Sequence, residues 1–474
     1  MQQNRLRNKV VLMIAVMTAL LFAALNQTII GTIVPRIATE LGGTKQLTWV
    51  FTLFMLTSTV ATALIGSFSD RYGRKPFLLI GLLLLLIGTL LCGLAHSMWS
   101  FIYYRGIQGI GVGIIISMAF TVVGDLFEPH ERGRWLGLMT SVYGLASLSG
   151  PTLGGYLVDH ADWRWAYWSF LPLGVLALAA IGLHYPSEKK ARGKPVDIAG
   201  SAWLASTITV LLLSLSVAGS RFAWTSPTML ALLLLTLLCA GLFLRSQQRA
   251  PYPVLPLHLF RNRSFTLSCL AGLTSSIGMF GTLTYVPLFL QGVTLTSASV
   301  SGYAIMAVTL SLVIANAAAG WLLAKSGTAK WLAVTGLAAM TAGQIFLSVM
   351  DARTDLVHII AGLIVFGLGL GTALSVFALT VQNAVERSRL GTATAVYQLF
   401  RQLGAAGGLT VMGTVISMRM DSHSLEDDAL LHHPELLRHA LSGTFQIGAC
   451  AVAAALIFAC LLRIHPEHRK EVEA

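Results

Sequence analysis

The chain has 474 residues, 55% hydrophobic and only 11% charged, with net charge +12 and mean hydropathy +0.73. A soluble globular protein carries about 25% charged residues. So few charges cannot cover a water-facing surface, which excludes a soluble enzyme and a disordered scaffold and leaves a polytopic helical membrane protein.

In chain order, apolar runs of spanning length lie at 10–34, 47–68, 77–95, 100–124, 134–158, 164–184, 197–219, 228–245, 264–290, 298–324, 331–350, 356–380, 391–417 and 442–463. Each is close to the roughly 20 residues a helix needs to cross hydrocarbon. Lipid offers the backbone no hydrogen bonds, so these runs are predicted to be fourteen transmembrane helices. The first run is about twice as long as a signal-peptide core and carries Asn26, Gln27 and Thr28, so it reads as a span. The five cysteines all sit in apolar stretches with no CxxC spacing, so no disulfide and no metal site are expected.

Of 32 basic residues, 23 fall on the side of the N-terminus, seven on the other side, and two, Arg105 and Arg401, within spans. By the positive-inside rule both termini are expected in the cytoplasm of a multi-pass cell-membrane protein. The basic balance then belongs to the lipid surface, and no nucleic-acid partner is implied.

An internal repeat is visible. Gly66 and Gly73 recur as Gly320 and Gly327, and Gly109, Gly111 and Gly113 recur as Gly367, Gly369 and Gly371. The basic–glycine turn at 131–134 recurs at 388–391. The repeat implies two six-helix halves, 1–188 and 263–474, with two extra helices and their linkers at 189–262. Repeated halves around a central site are a common transporter plan. No GxxxxGK[ST], HExxH or GxSxG is present, so neither ATP hydrolysis nor enzyme chemistry is read, and no cofactor is expected.

Three stretches carry the chemistry. Gly66-Ser-Phe-Ser-Asp70-Arg71-Tyr-Gly73-Arg74-Lys75 holds an acid, basic residues and two glycines in one loop. Positive-inside topology alone explains the bases but neither Asp70 nor the glycines. This loop resembles the signature of the major facilitator superfamily, GxLaDrxGRk. The resemblance implies a cytoplasmic latch of Gly66, Asp70, Arg71, Gly73, Arg74 and Asp125, with Asp125 pairing with Arg71 or Arg74. Arg105-Gly106-Ile107-Gln108-Gly109 resembles the family's fourth-span motif. An arginine in a span costs ~2.5–3.5 kcal/mol on insertion scales, so Arg105 faces a cavity or a partner unless it snorkels outward. Gly144, Gly150-Pro151 and Gly154-Gly155 resemble the antiporter motif GxxxxxGPxxGG, with Pro151 bending the helix.

Leu25-Asn26-Gln27-Thr28 with Pro35, and Trp163-Arg164-Trp165 with Pro172, resemble the fourteen-span drug:proton antiporter branch over essentially the whole chain. The resemblance implies an all-α major facilitator fold of two six-helix halves plus two central helices. It also implies a multidrug exporter of small amphipathic or cationic compounds, driven by protons and acting as a monomer. One departure matters most. The branch carries aspartate where this chain has Asn26, and every acidic residue falls in a loop or at a span end. Three explanations stay open: Asn26 replaces a proton carrier, Asp70 or Asp125 couples instead, or transport is uncoupled from protons. The proton-coupling candidates are therefore Asn26, Arg105, Asp70 and Asp125. The expected substrate cavity comprises Asn26, Arg105, Gln108, Met279, Phe280, Tyr285, Met306, Gln398 and Arg401. The alternative cargo is an anionic metabolite or lipid, because the two span arginines would make the cavity positive.

Overall fold

The computed structural model describes residues 2–42, 46–186, 197–218, 222–326, 329–351, 353–419 and 434–462. They form sixteen α-helices and two 3-10 turns. The first half runs α1 (Gln2–Thr28), α2 (Ile30–Leu41), α3 (Leu47–Tyr72), α4 (Arg74–Gly93), α5 (Met98–Leu126), α6 (Pro129–His160), the single turn α7 (Trp165–Trp168) and α8 (Leu171–His184). An added hairpin follows, α9 (Ile198–Val217) and α10 (Pro227–Arg249). The second half runs α11 (Arg263–Gly292), α12 (Ala298–Ser326), α13 (Ala329–Ser348), α14 (Leu356–Asn383), α15 (Leu390–Arg419) and α16 (Pro434–Cys460).

Among the described residues, thirteen segments are long and apolar enough to cross a membrane, with α1–α2 and α7–α8 each counted as one. The fourteenth expected span, α6, is 32 residues long but interrupted by Ser, Gly and an internal Pro151. Gly137, Gly144, Gly150 and Gly154 face other helices, so length and not hydropathy identifies it.

The internal repeat is a three-dimensional one. A side chain added at Gly81 would strike Ile114 and one at Gly336 would strike Thr372, so α4 meets α5 as α13 meets α14. Gly109 lies against Phe54 and Thr57 as Gly367 lies against Val308 and Ser311. Gly66 abuts the Gly391 carbonyl, and Gly320 abuts the Gly133 carbonyl. Small residues let backbones approach closely where no hydrophobic force drives helices together in lipid. The repeat therefore places two related seams between the halves, α3 against α15 and α12 against α6. Gly327, the second glycine of the repeated loop, lies outside the described residues.

All these inter-half contacts cluster toward one end of the bundle. That end also carries Arg74, Arg132, Arg387 and Arg389, and Lys9 lies 5.8 Å from the Phe127 ring there. It is called the basic end below.

Candidate functional site

At the basic end, Asp70 ties α3 to α15. As α3 reaches its last turn, Asp70 projects across the seam to the first turn of α15. Its Oδ1 accepts from the Gly391 N–H at 2.9 Å, and its Oδ2 accepts from the Thr392 N–H and hydroxyl at 2.7 Å each. A carboxylate at a helix N-terminus satisfies donors that have no partner within the helix and sits favourably in the helix dipole. Gly73, at φ +91°, turns the chain so that α4 begins with Arg74. Arg74 then bridges Asp70 at 2.5 Å and Asp125 at 2.7 Å, and donates to the Ser69 hydroxyl at 2.6 Å. Asp125 therefore takes Arg74, not Arg71; Arg71 donates to the Tyr252 carbonyl at 2.6 Å and reaches the segment after the added hairpin. Gly391 had been visible only as part of a repeated turn; what makes it a partner is its place at a helix start. Two more bonds cross nearby, Gln382 to the Phe120 carbonyl at 2.8 Å and Arg132 to Asn383 at 3.1 Å.

A second cluster lies inside the first half. Asn26 is 1% exposed and Arg105 fully buried. The Arg105 guanidinium donates to the main-chain carbonyl of Asn26 at 3.2 Å and to the side-chain oxygen of Gln108, and lies 3.9 Å from the Phe54 ring centre. Gln108 donates to the Asn26 side-chain oxygen at 2.8 Å and to Thr89 at 2.9 Å, and Thr89 donates to the same Asn26 oxygen at 3.1 Å. The sequence had singled out Asn26, Gln108 and Arg105. It gave no weight to Thr89, a lone hydroxyl in the leucine run of α4. The network is dense, neutral apart from one guanidinium, and contains no carboxylate among the described residues. A cation over an aromatic face contributes about 2 kcal/mol when desolvated. That offsets much of the cost of an arginine in a span without any acid.

A third group crosses between the halves. Tyr143 of α6 donates to Gln27 of α1 at 3.2 Å. Arg401 donates to Gln398 at 3.1 Å, its ring neighbour Tyr397 lies 6.0 Å away, and its Nε has no partner among the described residues. Gln402 reaches Thr62 of α3 at 3.3 Å. Arg401 stands eleven residues into α15, ~16 Å from its start at 1.5 Å per residue. Tyr143 and Gln27 were not anticipated, because nothing in their local spacing distinguishes them from packing.

The other expected cavity residues scatter. Met279 is buried in the core, Phe280 is half-buried against it, and Tyr285 donates to the Leu409 carbonyl at 3.4 Å, joining α11 to α15. Met306 is 40% exposed on α12. Within the stretch that resembles the antiporter motif, Gly150 and Gly154 bring α6 against Thr28, Ile29 and Thr32, while Gly144 meets Val313 and Leu312 of the opposite half. Gly155 has open space beside it, so the last glycine of the motif makes no close approach. Pro151 lies inside α6, between these two contacts.

Residues 16–409 match the family described as Major Facilitator Superfamily. The chain is 35% identical over 436 residues to the multidrug transporter protein MdtP of Bacillus subtilis, covering 92% of this chain and 80% of that one. It is 31% identical to multidrug resistance protein 3 of the same organism, covering 85% and 78%. Among solved structures it resembles the proton:xylose symporter XylE, with TM-score 0.66 at 14% identity over 96% of each chain.

Proposed function

The chain belongs to the major facilitator superfamily, membrane transporters rather than enzymes, and from that premise we propose that it exports small amphipathic compounds by alternating access. The names of its bacterial relatives support efflux. With the basic end placed in the cytoplasm by the positive-inside rule, the Asp70 lock closes the inner side, and the conformation faces outward. Reversal then requires Asp70 to leave the start of α15.

The single observation that carries the reading is the hydrogen bond from Gln402 of α15 to Thr62 of α3, one residue from the Arg401–Gln398 pair, because it joins polar groups of both halves within the bundle. A cargo bound there would touch both halves and favour their rocking. Among the described residues no acid is paired with Arg401, so neutral and acidic amphipaths are favoured over cations in this low-dielectric setting. The sequence-based preference for cationic drugs is thereby narrowed. Export of a cationic and an anionic dye from vesicles, in the parent and in Arg401→Gln, tests this. The parent should prefer the anionic dye, and the variant should lose that preference. A parent that moves only the cation refutes it.

A second reading concerns coupling. Proton exchange is what the family resemblance implies. In this chain Arg105 is held by an amide, a carbonyl and a ring, none of which titrates near neutrality. Asp70 and Asp125 are engaged in the inner lock, away from the outer mouth where an exporter would take up its proton. We therefore favour transport that is not driven by protons through the Asn26 site.

A further inference from the structure

The repeat relates the two seams between the halves, but the added hairpin breaks the symmetry. Leu204, Ile208 and Leu212 of α9 form one buried cluster with Ala63 of α3 and Leu399 of α15. Val60, Leu64 and Leu403 pack against the same cluster. The hairpin thus lies along the α3–α15 seam. The related seam, α6 against α12, carries no such cover among the described residues. The residues that correspond by the repeat show the difference: Val60 and Leu403 are half-buried, whereas their counterparts Ile314 and Leu145 are 64% and 49% exposed.

The hairpin is also attached to opposite halves at its opposite ends. At the basic end the chain following α10 is held by the first half, through Arg71 and the Tyr252 carbonyl at 2.6 Å. At the far end it is held by the second half: Thr410 donates to the Leu215 carbonyl at 3.1 Å, and Trp224 donates to the Thr414 hydroxyl at 3.0 Å. Its own basic end is rigid, because Asp197 caps α9 at Gly200 and accepts from Gln247 at 2.7 Å, while Gln247 accepts from the Leu255 N–H at 2.9 Å. When the halves rock, α3 and α15 part at one end and converge at the other. A rigid hairpin fixed to α3 at the parting end and to α15 at the converging end stays seated through the cycle.

We propose that the α9–α10 hairpin is a permanent diagonal seal over one seam, and that the bare α6–α12 seam is the side from which membrane-dissolved cargo enters the space between the halves. The seat of the hairpin stands on packing and hydrogen bonds; its permanence through the cycle and the entry side rest on the export reading above. Cargo dissolved in the bilayer meets a helix pair at the first seam and only two side-by-side helices, joined through glycines at 133, 137, 144 and 320, at the second.

The test uses the full chain in lipid vesicles, with its five native cysteines replaced and single cysteines placed by Val60→Cys, Leu403→Cys, Ile314→Cys or Leu145→Cys. A maleimide carried on an acyl chain is expected to label positions 314 and 145 at least tenfold faster than 60 and 403. Equal labelling at all four overturns the seal. The bulky adduct at 145 or 314 should then slow export of a membrane-partitioning dye at least fivefold. The same adduct from Leu237→Cys, on the exposed face of α10, should change export less than twofold. Equal effects at 145 and 237 overturn the entry side. If the unlabelled parent moves no dye, the export reading falls and the entry side with it, while the labelling ratio still decides the seal.

Discussion

Neutralising Asp70 should release the inner lock, and the size of the effect follows from its contacts. The side chain is 8% exposed, so solvent screens it little. It accepts three hydrogen bonds from the start of α15 and faces Arg74. Hydrogen bonds to charged groups contribute about 1.5–3 kcal/mol each, against about 0.5–1.5 for neutral ones. Asparagine keeps one acceptor but turns an amide N–H₂ toward backbone donors. Arg74 retains Asp125 at 2.7 Å, so its charge is not stranded. The net loss from the closed inner state is therefore about 2–4 kcal/mol, below the ~3–5 kcal/mol of an abandoned buried pair. At ~1.4 kcal/mol per decade, the closed-to-open ratio falls by roughly 30- to 700-fold. Spin labels at exposed positions 128 and 388, on opposite halves of the basic end, would read this as a shift to longer distances in Asp70→Asn. Asp70→Glu should keep most of the short-distance population. An unchanged distance distribution in Asp70→Asn would refute the assignment of Asp70 as the lock.

Other outcomes follow from the same geometry. Arg105→Met should abolish export while leaving thermal stability within about 1 kcal/mol of the parent, because an apolar side chain removes a desolvation cost that no acid offsets; a large fall in melting temperature with export intact would contradict it. Gly320→Leu should hold the basic end apart, since even a Cβ there strikes the Gly133 carbonyl; labels at 128 and 388 would report the longer distance. His258, pressed below its ordinary value by partial burial and then by Arg389 and Arg261, accepts from Arg389 in its neutral form. The lowered value means that the contact is fully present above the free-histidine pKa of about 6.5 and is lost as pH falls below it through the lowered value. The contact between the segment before α11 and the start of α15 should thus loosen on mild acidification in the parent and not in His258→Gln, as read by hydrogen exchange over residues 386–392.

The sequence shows fold and sites to different depths, for physical reasons. Spans are legible because hydrocarbon demands about 20 apolar residues in a row. The symmetric halves are legible because glycine is needed wherever two backbones meet, and the same helix pairs meet twice. Even so, α6 falls short on hydropathy because it packs on helices at both its glycine contacts. Buried charge is legible in kind but not in partner. Arg105 announces itself by cost, yet its neighbours Phe54 and Thr89 come from other helices. Asp70 was visible as an acid without an evident reason, and the N–H groups that explain it belong to residues some 320 positions later. The hairpin's place over a single seam could not be read at all, since its lipid-facing and seam-facing leucines look alike in the chain.

The central claim is that the Asn26 cluster does not carry protons. Its most direct test is dye export from vesicles with and without an imposed pH gradient, in the parent and in Asn26→Asp. Gln108 and Thr89 already donate to the side-chain oxygen at this position, so a carboxylate fits the same space. The parent should export at one rate in both conditions, and the aspartate form should accelerate when the gradient is applied. A parent whose export responds to the gradient as strongly as the aspartate form does would contradict the account.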